Sequence, residues 1–306
     1  MKTISWLLNR QVLSAVCAAP LLFSSIYALA DEMPAVEAAP AAAAAPAEPA
    51  PDWTFTLNAG LYSEYMFRGV SLSDGPALQV GADLGHSSGF YVGTWWSNID
   101  KYNAGKDATG AVPFSDGNKI ETDWYFGWAK TFENGFGVNF LGNYYYYPDR
   151  EDSFSASDNG HKQDTFEVSA ALSYKWLTYT FYYIPTDYYG LNKTDSAFTE
   201  LKTNGDTEGA TYNELKFNYT LPIGDLNFLA KVGYQHTPGL QGSQADVAIG
   251  LSRNFSIPSA GKPIEGFSAG GYYTDTFSVK NELYYVSTEG RDLNEKKLWF
   301  FVKRTW

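Results

Sequence analysis

The sequence predicts an all-β fold: a transmembrane, antiparallel up-and-down β-barrel of about 12 strands and of outer-membrane type. Three observations carry this. Aromatic residues make up 17% of the 306 residues, with 23 Tyr, 20 Phe and 9 Trp, and these types favour strands. Apolar and polar side chains alternate with a period of two through one segment after another. The connections between these segments alternate between short and long. No later apolar run reaches the roughly 18 residues that a membrane-spanning helix needs.

Taken in chain order, residues 1–30 read as a cleaved signal peptide. Lys2 and Arg10 precede an uncharged run over 11–30, and small residues at Ala28 and Ala30 stand directly before Asp31. A lipoprotein site at Cys17 is disfavoured, because Val16 stands where a small residue is wanted. Cleavage after Ala30 removes the only cysteine, so disulfides and thiolate metal sites are excluded from the mature chain. It also removes Lys2 and Arg10. Basic residues then fall from 22 to 20 against 34 acidic ones, and the formal charge moves from −12 to −14. Such an acidic chain does not suit a nucleic-acid partner. Residues 31–52, "DEMPAVEAAPAAAAAPAEPAPD", are almost wholly Ala and Pro and read as a disordered periplasmic linker. Fully extended it would span roughly 70 Å.

The remaining residues, 53–306, form the barrel. In the first strand, "WTFTLNAGLYSEYMF", Trp53, Phe55, Leu57, Ala59, Leu61, Tyr65 and Phe67 share the lipid-facing parity. Thr54, Thr56, Asn58, Tyr62, Glu64 and Arg68 share the other. The sixth, "TFEVSAALSYKW", sets Phe166, Val168, Ala170, Leu172, Tyr174 and Trp176 against Glu167, Ser169, Ser173 and Lys175. "TYNELKFNYTL" sets Leu215, Phe217, Tyr219 and Leu221 against Tyr212, Glu214, Lys216, Asn218 and Thr220. Further strands are expected to start near Pro76, Phe90, Ile120, Phe136, Leu177, Leu226, Ala245, Gly266 and Lys297. Short periplasmic turns fall at 86–89, 133–135, 175–178, 222–225 and 256–265. Longer outer loops include "RGVSLSDG" after the first strand and the stretches between the other pairs. An even strand count returns both ends to one side. A secreted β-sandwich would alternate too. Aromatics at strand ends, as in "NYYYYPD", and loops that are long on one side only favour the barrel.

The stretch 61–100, "LYSEYMFRGVSLSDGPALQVGADLGHSSGFYVGTWWSNID", resembles the opening of the TorF family of porin-like outer-membrane proteins, the Gcw_chp type. The matching elements are "SEYMFRGVSLSDG", "PALQVGADLGH" and "GFYVGTWWSNID", and the layout continues through most of 53–306. The resemblance implies a porin-like location in the Gram-negative outer membrane, reached through the periplasm, and a channel; it brings no assigned residues. The closing strand is similar to the C-terminal signal by which barrels are recognised for assembly. Leu298, Phe300, Val302 and Trp306 fit it, while Arg304 departs and would snorkel to the headgroups.

Parity also assigns the lumen. The inward acidic candidates are Glu64, Asp83, Glu121, Asp123, Glu167, Glu214 and Asp246, and the basic ones are Arg68, Lys175, Lys216, Lys231 and Lys303. Facing hydrocarbon would cost a Lys or Arg about 2–4 kcal/mol near the midplane. A mixed but mildly acidic lumen predicts passive diffusion of small solutes, with weak preference for cations or neutral molecules. These charges would either tune selectivity or pair across strands, Glu214 with Lys231 for example. Arg68 is expected to pin the first loop by pairing with Glu64 or Asp74; the other reading makes it part of a constriction or a clamp for a carboxylate ligand. The alternative is a non-conducting structural or receptor barrel that binds partners through its long outer loops.

No catalytic arrangement is visible. His86 falls in a short turn and His161 and His236 in or beside outer loops, none beside a convincing serine partner, and "ASDNGHKQD" misses the calcium-loop spacing. No enzyme, metal or cofactor is expected. Outer-membrane lipids, lipopolysaccharide, the barrel-assembly machinery and small solutes are the partners this implies, with oligomeric state left open.

Overall fold

A computed structural model describes residues 52–100, 102–105, 112–113, 119–148, 163–189, 206–224, 226–240, 243–280, 284–287, 291–294 and 296–306. Residues 1–51, on which the expected signal peptide and most of the expected linker fall, lie outside the described residues. The strands in chain order are β1 (Trp53–Tyr62), β2 (Met66–Phe67), β3 (Val70–Ser71), β4 (Ala77–His86), β5 (Phe90–Asn98), β6 (Tyr102–Gly105), β7 (Val112–Pro113), β8 (Ile120–Thr131), β9 (Phe136–Tyr146), β10 (Thr165–Tyr174), β11 (Leu177–Ile184), β12 (Ala210–Thr220), β13 (Leu226–His236), β14 (Ser243–Ile257), β15 (Ile264–Lys280), β16 (Tyr284–Ser287) and β17 (Lys297–Thr305). Twelve of them close an antiparallel barrel in the order β1-β17-β15-β14-β13-β12-β11-β10-β9-β8-β5-β4. Each starts within two residues of the position the alternation predicts. Strands β6, β7 and β16 make a separate small sheet, and β2 and β3 a separate hairpin.

The wall follows from the alternation. Phe55, Leu61, Phe126, Phe140, Leu172 and Phe300 point outward and are exposed. Gln79, Ser97, Asp123, Asn143, Glu214 and Ser268 point inward and are buried. At the short-turn end Phe136 stacks on Tyr174 at 4.5 Å and Trp176 meets Tyr219 edge-on at 5.4 Å. At the opposite end Tyr144 stacks on Tyr146 at 6.4 Å. Two aromatic rims thus bracket an apolar band, the distribution that suits two membrane interfaces. Arg placed in the middle of that band, as in Phe126→Arg, should lower barrel stability by about 2–4 kcal/mol in lipid vesicles. Urea unfolding of the two proteins measures this; an unchanged midpoint would mean that Phe126 does not face hydrocarbon.

On the inner face several tyrosines lie flat across a glycine of the neighbouring strand. Tyr125 covers Gly93, Tyr91 covers Gly127, Tyr212 covers Gly233 and Tyr272 covers Gly250, and a Cβ at any of these glycines would collide with the ring. Rings pressed against the wall occupy little of the bore, and the close approach secures strand register.

Strand β1 pairs with β4 from Trp53↔His86 to Tyr62↔Ala77, ten residue pairs. With β17 it pairs over only five, Asn58↔Thr305 to Tyr62↔Phe301. Both rims of this seam are extended by further bonds, Leu57 and Trp306 exchanging two backbone bonds (3.3 and 2.8 Å) and Ser63 N–H donating to Phe300 O at 2.8 Å. Leu298, Phe300, Val302 and Trp306 all point outward and are exposed. The Arg304 guanidinium lies between the rings of Phe267 (5.1 Å) and Trp306 (4.8 Å), so its charge sits on aromatic faces at the barrel rim.

Two expectations are overturned. Tyr65 and Phe67 do not continue the lipid-facing row of β1, and "RGVSLSDG" is not an outer loop. The chain leaves the wall after Tyr62, enters the barrel mouth and reverses between β2 and β3. Arg68 (φ 47°) and Gly69 (φ 80°) sit at the reversal, the pair of positive φ values that a type I′ turn demands. A Cβ on Gly69 would collide with Thr276 Cγ2 and lie 2.8 Å from Asp246 Cβ, so the tip rests against β14 and β15. The aromatics that parity sent to lipid are buried instead in the lumen, Tyr65 and Phe67 among them. The second correction concerns Lys175. It occupies the two-residue turn between β10 and β11 at φ 54°, exposed, with its ammonium over Tyr174 and Trp176. A tight turn has no inward face, so parity stops one residue short of it.

Candidate functional site

The inward hairpin at 63–75 organises the lumen. It enters at the long-loop end of the barrel, where β1 ends and β8, β10 and β14 begin. Its own turn is held by Tyr65 N–H to Ser73 Oγ (2.8 Å) and Leu72 N–H to Tyr65 O (2.8 Å). Tyr65 packs edge-on against Trp95 at 5.2 Å, and Phe67 edge-on against Tyr145 and Tyr189 at 6.1 and 6.0 Å.

Arg68 sits at the centre. One terminal nitrogen donates to Glu167 Oε2 at 2.7 Å and the other to Gln235 Oε1 at 2.9 Å. The guanidinium carbon lies 4.3 Å from the ring centre of Tyr212, 5.1 Å from Tyr182 and 4.8 Å from Phe67. Gln244 Nε2 donates to the Arg68 carbonyl at 3.2 Å. The register explains why these groups converge. Tyr182 is directly opposite Tyr212, Tyr212 opposite Gln235, and Gln235 opposite Gln244, so β11 to β14 present one horizontal row. Arg68 therefore does anchor the first loop, but not through Glu64 or Asp74. The anchor is across the barrel, because the hairpin carries the side chain to the far wall. Asp74 pairs with Arg291 at 2.7 Å. Glu64 takes the Ser71 hydroxyl and the Gly75 N–H, the latter at 3.2 Å, and lies 3.8 Å from Lys297 Nζ.

The wall facing the hairpin is acidic. Glu121 accepts from the Tyr65 hydroxyl at 2.6 Å and the Tyr147 hydroxyl at 2.7 Å. Burial, reinforced by Glu121 and Asp123, holds the Tyr65 phenol well above its ordinary pKa, so it stays a donor. Asp123 accepts from Asn143 Nδ2 at 3.1 Å, and its other oxygen is buried without a hydrogen bond, as is Asn143 Oδ1. Glu167 also accepts from the Tyr145 hydroxyl at 3.1 Å. Among the described residues, then, this wall offers acceptor oxygens that no side-chain donor meets.

Of the other lumen candidates, Asp83 accepts from Tyr125 at 2.6 Å. Lys216 and Lys231 stand directly opposite each other on β12 and β13. Glu214 separates them, 2.9 Å from Lys216 and 3.7 Å from Lys231, and Lys231 lies 3.3 Å from Asp246. The Glu214–Lys231 pair that the sequence suggested is present, within a four-member network. Lys303 is buried on the inner face.

The sequence missed Tyr65, Phe67, Tyr182, Tyr212, Gln235 and Asn143 as site residues. Only the positive-φ signal of the Arg-Gly dipeptide could have pointed to the reversal. It also missed Asp187, Asp206 and Glu208, whose carboxylate oxygens lie within 4.8 Å of one another at the outer rim. The first follows β11 and the others precede β12, so no spacing rule connects them.

The profile of a family described as a bacterial protein of unknown function (Gcw_chp) matches residues 46–306. No curated protein matches the sequence. Among solved structures the barrel is similar to the KdgM porin, at 8% identity and a TM-score of 0.44, over 82% of this chain and 99% of that one. It is also similar to OccAB4 of Acinetobacter baumannii, at 13% identity and a TM-score of 0.37, over 80% of this chain and 56% of that one. OpdQ of Pseudomonas aeruginosa gives 8% and 0.37, over 82% and 66%. Identities and scores this low carry no argument about substrate or mechanism.

Proposed function

We propose, for a chain that belongs to the Gcw_chp family of bacterial proteins, a Gram-negative outer-membrane channel for small solutes whose outer mouth is stopped by its own first loop. Its partners on this reading are outer-membrane lipids with lipopolysaccharide, the barrel-assembly machinery that takes up its last strand, and the solutes themselves. The finer kinship with the TorF porins rests on the block 61–100.

One observation carries the proposal. The hairpin 63–75 turns into the mouth and is buried there against inward aromatics of the wall, Trp95 and Tyr145 among them, and its tip carries Arg68 to Glu167 and Gln235 on the far side. The hairpin is also held by a polar latch, and such bonds exchange for water more readily than an apolar core does. Carboxylates outnumber cationic groups along the lumen, which supports preference for cationic or neutral solutes.

The test is conductance across planar bilayers. The folded protein, identified by heat-modifiable gel mobility, should show a mostly closed baseline with brief discrete openings, and a reversal potential favouring cations in a salt gradient. Complete silence over a range of voltages and salts would favour the non-conducting receptor or structural barrel, which the stopped mouth also suits.

A further inference from the structure

The groups around Arg68 form a site in their own right. A carboxylate (Glu167), an amide oxygen (Gln235) and two tyrosine faces (Tyr182, Tyr212) come from four adjacent wall strands. None of them belongs to the hairpin. This is the chemistry that recognises a planar organic cation: one charge-assisted bond, one neutral acceptor and two π-faces, in a place closed to bulk water. Beside it, Asp123 Oδ1 and Asn143 Oδ1 are buried without a donor. Asn143 is directly opposite Glu167 in the register, which puts further acceptor capacity next to the cradle.

We propose that the wall cradle Glu167–Gln235–Tyr182–Tyr212 is a binding site for solutes bearing a guanidinium or comparable organic cation, occupied in cis by Arg68 until such a solute displaces it. This deepens the channel reading by naming a solute class, and it rests on that reading for its biological purpose. Arg68 is then a tethered competitor. A group held on a short loop has an effective concentration in the millimolar range or above, so external ligand must work against it. Displacement frees the hairpin, because the guanidinium is its anchor to the far wall.

The probe is L-argininamide, which carries the guanidinium without a carboxylate, and the assay is isothermal titration calorimetry on the full-length protein folded in detergent. Arg68→Ala should bind argininamide at least tenfold more tightly than the wild type. Adding Glu167→Gln to that variant should abolish the gain, and uncharged propionamide should bind neither. Equal affinity in the wild type and Arg68→Ala, or a gain that survives Glu167→Gln, would overturn the proposal. If Arg68→Ala does not reach the heat-modifiable form, Arg68→Gln takes its place. A second measurement keeps position 68 intact. In a Cys17→Ser background, Ser71→Cys places the one thiol on the buried hairpin, and its maleimide labelling should quicken at least threefold with argininamide and not with propionamide. Unchanged labelling counts against the proposal. Binding is read without current, so a silent bilayer would sink the channel and leave this site standing, while loss of binding with normal current would do the reverse.

Discussion

Replacing Arg68 by Ala should convert a mostly closed barrel into a mostly open one. The substitution removes the bonds to Glu167 and Gln235 and the stacking on Tyr182 and Tyr212. It leaves Tyr65 on Glu121 and, since Ala keeps its carbonyl, Gln244 on residue 68. Removing one partner of a buried ion pair typically costs about 3–5 kcal/mol, because the other charge is left in place. Even about 3 kcal/mol is roughly a hundredfold in an equilibrium. The cost falls on the closed state, since only there is Glu167 covered by the hairpin. Open probability in single-channel recordings should therefore rise by one to two orders of magnitude. Arg68→Lys should fall between, because an ammonium keeps the charge but loses the planar fork and most of the stacking. A folded Arg68→Ala barrel with wild-type open probability would show that the hairpin does not control the mouth.

The second large effect is on stability. Lys231→Met should cost about 3–5 kcal/mol of barrel stability. The Lys231 side chain is wholly buried between Glu214 and Asp246, at 3.7 and 3.3 Å. Methionine fills a similar volume, so packing changes little and the loss is electrostatic. Lys216 still reaches Glu214, which leaves Asp246 as the abandoned charge, with only the Tyr212 hydroxyl at 2.8 Å. Adding Asp246→Asn should then recover most of the loss, the non-additivity expected within one network. Denaturant midpoints in detergent measure both. A single variant at the wild-type midpoint would mean that lumen water replaces the ammonium at no cost.

The wall was legible because a strand that faces lipid on one side and a lumen on the other must alternate. The pattern survives wherever the chain stays in the wall, as at Phe166 to Tyr174 or Leu298 to Trp306. It fails where the chain leaves the wall. Between Leu61 and Phe67 only Ser63 interrupts the apolar odd positions, so parity ran on, yet Tyr65 and Phe67 find their apolar surroundings inside the barrel. A buried aromatic and a lipid-facing one look the same in sequence. The two-residue turn at Lys175 and Trp176 misled for the same reason. The site was half legible. The wall charges Glu121, Asp123, Glu167 and Glu214 were found by parity, because a charge inside a strand has only one affordable side. Arg68 was named, but its partners were not. They depend on which rows align across β11 to β14, and register is fixed by pairing between strands that are distant in sequence.

The seam between β1 and β17 has a consequence for how the mouth opens. It is half as long as the ladder on the other side of β1, and the hairpin's own ends continue it. Ser63 exchanges bonds with Phe300 in both directions, its hydroxyl accepting at 2.9 Å, while Ser71 N–H donates to Leu293 O at 3.0 Å. Asp74 reaches Arg291, and Glu64 reaches Lys297. The stopper is thus stitched to the last segment of the chain as well as to the far wall. Withdrawing it would undo the upper stitches of the joint that makes the cylinder continuous. Unplugging and unzipping are mechanically one motion at this rim, and the lower half of the joint, from Leu57–Trp306 to Tyr62–Phe301, is what keeps the cylinder shut while the plug moves.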